Sequence, residues 1–357
     1  MSCYLVSIMK QLLKSAREKK GLLTRELAQT LGIDQALVSK FETGARKPTK
    51  AQVVKLAQIL DIPIQTLMVA WLKEKIIYEL ADEEYAIDAL KAAEAEIKIS
   101  KVPNKQLAVS KDLAIILKEI DKLKNQLDAI RQFDSYRIAQ ALELEYTFES
   151  NRIEGNTLTL KETDLVINEG LTISGKSMRE HLEAINHKDA ISYMKQLAES
   201  NTLLLEREVL GIHQLVLRGI DDAHAGKYRN VQVMIKGSKH MTPAPYLVAK
   251  QMEDCFIWYQ THKAKLHPVV LAAEMHERLV TIHPFIDGNG RTSRLVMNLL
   301  LLQKGYVIAN IKGDAKSRLA YYSALEEAQS NGNKEHFLQL VASYELQALE
   351  RYLKVLG

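Results

Sequence analysis

The chain has 357 residues, 47% of them hydrophobic and 26% charged, with a formal net charge of +4; it is long enough for two hydrophobic cores and has the composition of a globular protein, which excludes disordered and fibrous classes. Its two cysteines, Cys3 and Cys255, have no paired spacing, so a disulfide framework and a cysteine-based zinc site are excluded and the cytoplasm is the expected compartment. Lys10 and Lys14 interrupt the first apolar stretch and no run is long enough to cross a bilayer, so neither a signal peptide nor a membrane association is expected. Helical periodicity dominates and sets a mainly α fold.

Basic charge is concentrated at the start. Residues 1–62 hold 11 Lys and Arg against 5 Asp and Glu, a net of +6, while the remainder carries −2, as expected of a module that contacts DNA. Within it, Glu26-Leu27-Ala28, Leu31-Gly32-Ile33, Val38-Ser39-Lys40-Phe41-Glu42-Thr43-Gly44, Pro48, Leu56-Ala57 and Leu60 resemble the helix-turn-helix of the lambda-repressor-like (Xre) family. The resemblance implies a helical bundle over residues 1–62. Leu27 and Ala28 pack one helix, Gly32 permits the turn, and Asp34 caps a second helix that enters the major groove N-terminus first. Gln35 and Ser39 are then expected at base edges of duplex DNA and Lys40, Arg46 and Lys47 at phosphates, in a homodimer on inverted half-sites. Leu23-Thr24 stands where relatives carry Thr-Gln, and such folds also serve as dimerisation or protein-binding modules; both readings stay open.

Residues 63–106 read as a helical linker, rich in Ala, Glu and Lys from Ala81 to Ile99 and broken at Pro103-Asn104. Leu113, Ile116, Leu117, Ile120, Leu123, Leu127 and Ile130 recur at helical spacing, as a core-facing stripe does. From Tyr136 to Glu154 there is no Pro or Gly, and the apolar residues Ile138, Leu142, Tyr146 and Ile153 predict a helix stopped by Gly155 in a left-handed conformation. Ser150 and Glu154, four residues apart, share a face of it. Thr159 and Glu162 form a capping box for the next helix.

Residues 226–243 carry the one clear strand alternation, with Val231, Val233 and Ile235 facing one way before Gly237-Ser238; they predict a β-hairpin whose edge registers an extended peptide. Further on, His283-Pro284-Phe285-Ile286-Asp287-Gly288-Asn289-Gly290-Arg291-Thr292-Ser293-Arg294 gathers the components of phosphate chemistry. Gly288 and Gly290 let backbone amides turn toward an anion, and a buried helix, opening at Arg294, places the loop at a helix N-terminus. Arg291 and Arg294, three apart, each present a fork for phosphate oxygens. Asp287 offers a hard oxygen for magnesium, and His283 accepts a proton near neutral pH.

The joint pattern resembles the signature of the Fic family, His-Pro-Phe-x-Asp/Glu-Gly-Asn-Gly-Arg-x-x-Arg, at each of its positions; the resemblance covers roughly residues 107–345. It implies an all-helical Fic domain over 107–357 with a small β-hairpin flap over about 226–243, and transfer of AMP from ATP, with Mg2+, to a Ser, Thr or Tyr hydroxyl of a target protein or of the protein itself. His283 would deprotonate that hydroxyl and Asp287 hold the metal. Asn289 and the amides from Gly288 to Ser293, Thr292 included, would hold the α-phosphate, Arg291 would meet the leaving pyrophosphate, and Arg294 would orient the γ-phosphate. The related Doc kinases carry Ala-Asn-Lys where this chain has Gly288-Asn289-Gly290, which argues against kinase chemistry.

Ser150-Asn151-Arg152-Ile153-Glu154-Gly155 resembles the family's inhibitory motif, Ser/Thr-x-x-x-Glu-Gly/Asn, on a helix over about 136–155. On that pattern Glu154 pairs with Arg294 and denies it to the γ-phosphate. The flap tip, Ile235-Lys236-Gly237-Ser238-Lys239-His240, would clamp the target segment, with Lys239 and His240 also in reach of nucleotide. Tyr321-Tyr322 and Gln329 fall where relatives place adenine-side contacts. Three functions compete: a self-inhibited protein adenylyltransferase carrying a DNA-binding module, a transcriptional regulator with a nucleotide-sensing Fic domain, and a Fic enzyme that removes AMP with Glu154 positioning water.

Overall fold

The computed structural model describes residues 8–80, 83–90, 94, 109–131 and 136–356. No strand occurs among them, and the chain divides into two units, Met1–Glu96 and Ile97–Gly357.

The first unit packs α1 (Ile8–Lys19), α2 (Thr24–Leu31), α3 (Gln35–Thr43), α4 (Lys50–Ile59) and α5 (Ile64–Leu80) around Leu13, Leu27, Val38, Phe41, Val53 and Leu67. The expected turn is present. Gly32 ends α2 in the left-handed region (φ 67°), and the Asp34 carboxylate accepts the Ala36 N–H at 2.6 Å to start α3. Leu23, at the N-cap of α2, has no polar side chain to offer, and Glu26 instead accepts the Leu23 N–H at 2.7 Å. A largely buried Arg17–Glu42 pair at 2.6 Å ties α1 to α3. The boundary expected at residue 62 is too early. Helix α5 buries Leu67, Ala70 and Trp71 in this core, and the Trp71 indole donates to the Pro48 carbonyl at 2.8 Å, so α5 belongs to the bundle rather than to a linker. Most of Ala81–Ile99, and the Pro103-Asn104 break, lie outside the described residues.

The second unit contains α6 (Lys111–Ile130), α7 (Tyr136–Ile153), α8 (Leu160–Asn168), α9 (Met178–Glu199), α10 (Glu206–Leu217), α11 (Pro245–His262), α12 (Pro268–Ile282), α13 (Asn289–Gln303), α14 (Ala315–Asn331) and α15 (Glu335–Leu356). Helix α13 is central. All its residues from Arg291 to Leu301 are buried, and α12, α9 and α10 pack around it; a helix apolar on every side of its second half has no other stable place. The stripe on α6 buries Leu113, Leu117, Ile120 and Leu127 against α15. Gly155 takes φ 98° after α7, and Thr159 with Glu162 caps α8 reciprocally.

The segment 226–243 departs from expectation, since its two arms form no strand ladder. Side chains take the carbonyls that a ladder would use: Arg229 donates to Val231 and Pro243 at 2.9 and 2.7 Å, Gln232 to Thr242 at 3.0 Å, and the Thr242 hydroxyl to Val233 at 2.6 Å. The β-hairpin is therefore an irregular two-armed loop, closed by a turn in which the Ser238 N–H donates to the Ile235 carbonyl at 3.1 Å.

Candidate active site

Helix α12 stops at His283, whose backbone is left-handed (φ 50°) and whose N–H donates to the Leu279 carbonyl at 2.9 Å. Pro284 prevents the helix from continuing. The chain then turns on Asn289, whose side-chain oxygen accepts the Phe285 N–H and whose amide donates to the Phe285 carbonyl, both at 2.9 Å. Both ends of that side chain thus make a bond within its own loop and hold the turn, while the amide group keeps a second N–H. Gly288 takes φ 75°, and a Cβ there would come within 3.2 Å of Val216. Helix α13 begins at Asn289, five residues before the expected start. Arg291 therefore sits in its first turn and Arg294 in its second, while the first-turn amides have no intrahelical partners.

The His283 Nδ1 lies 3.2 Å from the Val280 carbonyl. A proton held there leaves Nε2 as the free base. Burial, with the nearby Arg229 charge, pulls the His283 pKa below the usual histidine value, against the opposing pull of Val280 and Glu154; the ring is neutral at physiological pH. Arg229 was not foreseen. It is 3% exposed, its Nε donates to the His283 carbonyl at 2.8 Å, and its N–H donates to the Pro284 carbonyl at 2.9 Å. The base of the flap thereby fixes the histidine loop. His213 was missed as well: it stacks on Phe285 at 3.6 Å and reaches the Asp287 carbonyl at 3.0 Å. Burial holds it near pKa 4, so it is an uncharged support. Neither residue stands in a pattern that sequence periodicity would expose.

Arg294 is 1% exposed. Its Nε donates to the Ser150 hydroxyl at 3.0 Å and its Nη2 to the Ser150 carbonyl at 2.9 Å and the Glu154 carboxylate at 2.7 Å. Burial works against this charge, but Glu154 and the neighbouring Tyr321 leave the guanidinium more firmly protonated than usual. The structure thus brings together Ser150, Glu154 and Arg294, the arrangement that the resemblance to the inhibitory motif implies. Tyr321 is buried, with its hydroxyl 3.5 Å from Arg294 Nη1 and 3.0 Å from His276 Nε2. Tyr322 donates to the Ile153 carbonyl at 3.1 Å, latching α14 to the end of α7. A Cβ on Gly290 would strike the Glu154 carboxylate, so the loop and Glu154 are in direct apposition.

Asp287 contacts Arg179, lies 3.3 Å from Arg291 and accepts the Gly288 N–H at 2.6 Å. Burial opposes its charge, but Arg291, the Gly288 amide and Arg179 keep the carboxyl below its usual pKa. With its side chain 40% exposed, it fits a magnesium ion that takes one carboxylate and completes its shell with phosphate oxygens and water. No group of three or more His, Cys, Asp or Glu suited to a metal occurs among the described residues. Arg291 is 2% exposed and lies 3.3 Å from Glu183, yet its Nε makes no hydrogen bond, which leaves donor capacity for an anion. The Thr292 hydroxyl and Gln329 Nε2 are likewise buried without a hydrogen-bond partner, whereas the Ser293 hydroxyl donates to the Asn289 carbonyl at 2.8 Å.

The flap tip is held from outside the motif. Ser238 contacts Glu326, which also accepts the Lys239 N–H at 2.9 Å, and His240 Nε2 lies 2.9 Å from the Thr281 carbonyl. Ile235 is half-buried, while Lys236, Gly237 and Lys239 are exposed. In the first unit, Gln35, Ser39, Lys40 and Arg46 are exposed. Gln35 donates to the Thr24 hydroxyl at 3.0 Å, so Thr24 braces the start of α3. Lys47 turns back, donating to the Glu74 carbonyl at 2.9 Å with its ammonium 4.6 Å from the centre of the Tyr78 ring.

Comparison with known proteins agrees with this geometry. Residues 203–301 match the Fic/DOC family model and residues 13–67 a helix-turn-helix model. The chain is 34% identical over 240 residues to a protein from Drosophila persimilis named Protein adenylyltransferase Fic, covering 66% of this chain and 46% of that protein. Its namesake in Nematostella vectensis is 32% identical over 258 residues, covering 70% of this chain and 59% of that protein. The chain thus spans about half the length of these curated relatives. A Fic domain containing signaling protein from Bacteroides thetaiotaomicron superposes with a TM-score of 0.61 at 26% identity, over 68% of this chain and 96% of that one. Fic-1 from C. elegans shares the fold, with a TM-score of 0.59 at 24% identity over 98% of both chains. The chain joins an N-terminal helix-turn-helix domain to a domain of the Fic/DOC family.

Proposed function

We propose that the protein is a self-inhibited adenylyltransferase that moves AMP from ATP to a hydroxyl side chain of a protein. The target hydroxyl gives its proton to His283 Nε2 and its oxygen bonds to the α-phosphorus. The bond from that phosphorus to the bridging oxygen breaks, and pyrophosphate departs. His283 holds the proton, the first-turn amides of α13 meet the α-phosphate, Arg291 offsets charge on the departing side, and Asp287 is the residue that would hold Mg2+. A bound magnesium supplies charge neutralisation to the phosphates. Positioning and electrostatics do most of the work in such a transfer.

The observation that carries the reading is the 2.7 Å contact of Glu154 with buried Arg294, which occupies the guanidinium that would otherwise orient the γ-phosphate. Incubating the wild type and Glu154→Gly with α-labelled ATP, magnesium and lysate, followed by mass spectrometry of the labelled proteins, tests it; equal labelling by the two would remove the inhibitory role. A second reading, removal of AMP, draws on the Glu154 side chain being 31% exposed and on its charge reaching His283, as befits a carboxylate that orients water. Release of AMP from a pre-modified target by the wild type, lost in Glu154→Gly, would favour it. The helix-turn-helix would place the enzyme on duplex DNA as a homodimer, and the scarcity of cysteine suits the cytoplasm. No helix of the described residues is long and apolar enough to cross a membrane.

A further inference from the structure

A cavity of about 490 Å3 opens within the second unit, between the first half of α7, the ends of α9 and α13, the loop 306–312 and α15. Its size is that of a small-molecule site, and such sites join apolar walls to a few placed polar groups. Ala139 and Leu142 of α7, Ala198, Ile308 and Ala348 supply apolar wall; Arg131, Lys195, Lys312 and Arg351 outnumber the acids Glu143 and Glu199 in the lining. Glu143 is engaged by Lys195 at 2.5 Å. Lys312 and Arg351 both contact Glu145, and Lys312 lies 3.9 Å from Glu149. Burial opposes the charge on Glu145, but these two cations hold its carboxyl below the usual pKa. Asn310 also lines the cavity, and its side-chain oxygen is buried without a hydrogen-bond partner. A buried acceptor left open is costly unless something donates to it.

We propose that this cavity binds a small amphipathic acid: an aromatic or aliphatic body lies against Leu142, Ile308 and Ala348, an N–H or O–H of the ligand donates to Asn310, and its acid group draws Lys312 and Arg351 away from Glu145. The cavity is separate from the His283 loop, and the inference does not depend on the transfer reaction. Glu145 and Glu149 lie on α7, so the ligand's acid competes with anchors of the helix that precedes Glu154.

The probe is 1-anilinonaphthalene-8-sulfonate, which has the aromatic body, the N–H and the anion; N-phenyl-1-naphthylamine lacks only the anion. Titrated into the full-length protein, the sulfonate should give a saturable, single-site fluorescence rise, abolished by Ala348→Trp, which fills the cavity. Glu145→Gln removes the internal competitor and should tighten the sulfonate about two- to fivefold, the range of a partly exposed ion pair, with no change for the neutral probe. Lys312→Ala should weaken the sulfonate alone and reports even if Ala348→Trp does not fold. Equal binding of the sulfonate to wild type and a folded Ala348→Trp, or equal effects of the Glu145 and Lys312 variants on both probes, would overturn the proposal.

Discussion

His283 shows how far local chemistry follows from a motif and where packing takes over. Its candidacy as the base is legible in the sequence, because it is the one group of the motif that can accept a proton near neutral pH. Its readiness is set by burial and by Arg229, 54 residues earlier, which no local pattern reveals. Because its pKa is lowered from 6.5, the basic form predominates at neutral pH and is lost as pH falls through that depressed value. In the Glu154→Gly background, the acid limb of kcat for AMP transfer should therefore have its midpoint below pH 6.5; a midpoint above it would mean that another group limits the reaction. His283→Ala in the same background should abolish turnover while ATP affinity by calorimetry changes less than about twofold, since the base acts on the hydroxyl rather than on the nucleotide. Joint collapse of both would make His283 a binding residue. Asn289 adds what the motif does not state: its side chain bonds both backbone groups of Phe285, because the six residues between Ile282 and Asn289 must satisfy their own backbone.

Among the elements, α7 was readable down to its stop at Gly155, since an uninterrupted apolar period and a terminal glycine are local signals. What seats it was not readable. Gly313 approaches so closely that a Cβ would lie 2.9 Å from the Glu149 carbonyl and 3.0 Å from the Ile153 nitrogen, while its N–H donates to the Glu149 carboxylate at 2.8 Å. Gly313→Ala should push the last turn of α7, and with it Glu154, away from Arg294. Basal self-labelling should rise and the melting temperature should fall by a few degrees, on the order of 1 kcal/mol of strain; unchanged labelling and melting would show that the loop does not seat α7. The flap misled for a related reason. Alternating Val231, Val233 and Ile235 suits a strand, but Arg229, Gln232 and Thr242 reach the carbonyls first, and side-chain bonds of that kind compete with a ladder.

For the whole molecule, the fold class was visible in periodicity and both domains in their motif resemblances, whereas the packing of Leu67 and Trp71 onto the first bundle was not, because it begins beyond the recognisable motif. The +6 of residues 1–62 and the exposed Gln35, Ser39, Lys40 and Arg46 predict that the full-length protein binds duplex DNA with an affinity that falls steeply with salt. Gln35→Ala with Ser39→Ala should relax sequence preference, and Lys40→Ala with Arg46→Ala should weaken all sequences alike. Lys47→Ala should matter less, because that ammonium is engaged by Glu74 and Tyr78; salt-insensitive retention, or no enrichment from a random duplex pool, would leave the bundle a protein-binding module. The self-inhibition at the centre of this account rests on one contact, the Glu154–Arg294 pair at 2.7 Å. A charge-assisted hydrogen bond of this kind contributes about 1.5–3 kcal/mol, or roughly one to two decades in rate. The most direct measurement is the rate of AMP incorporation from α-labelled ATP by full-length wild type and Glu154→Gly at equal nucleotide occupancy: a rise of about ten- to a hundredfold in the variant is predicted, and equal rates from a folded, ATP-bound variant would contradict it.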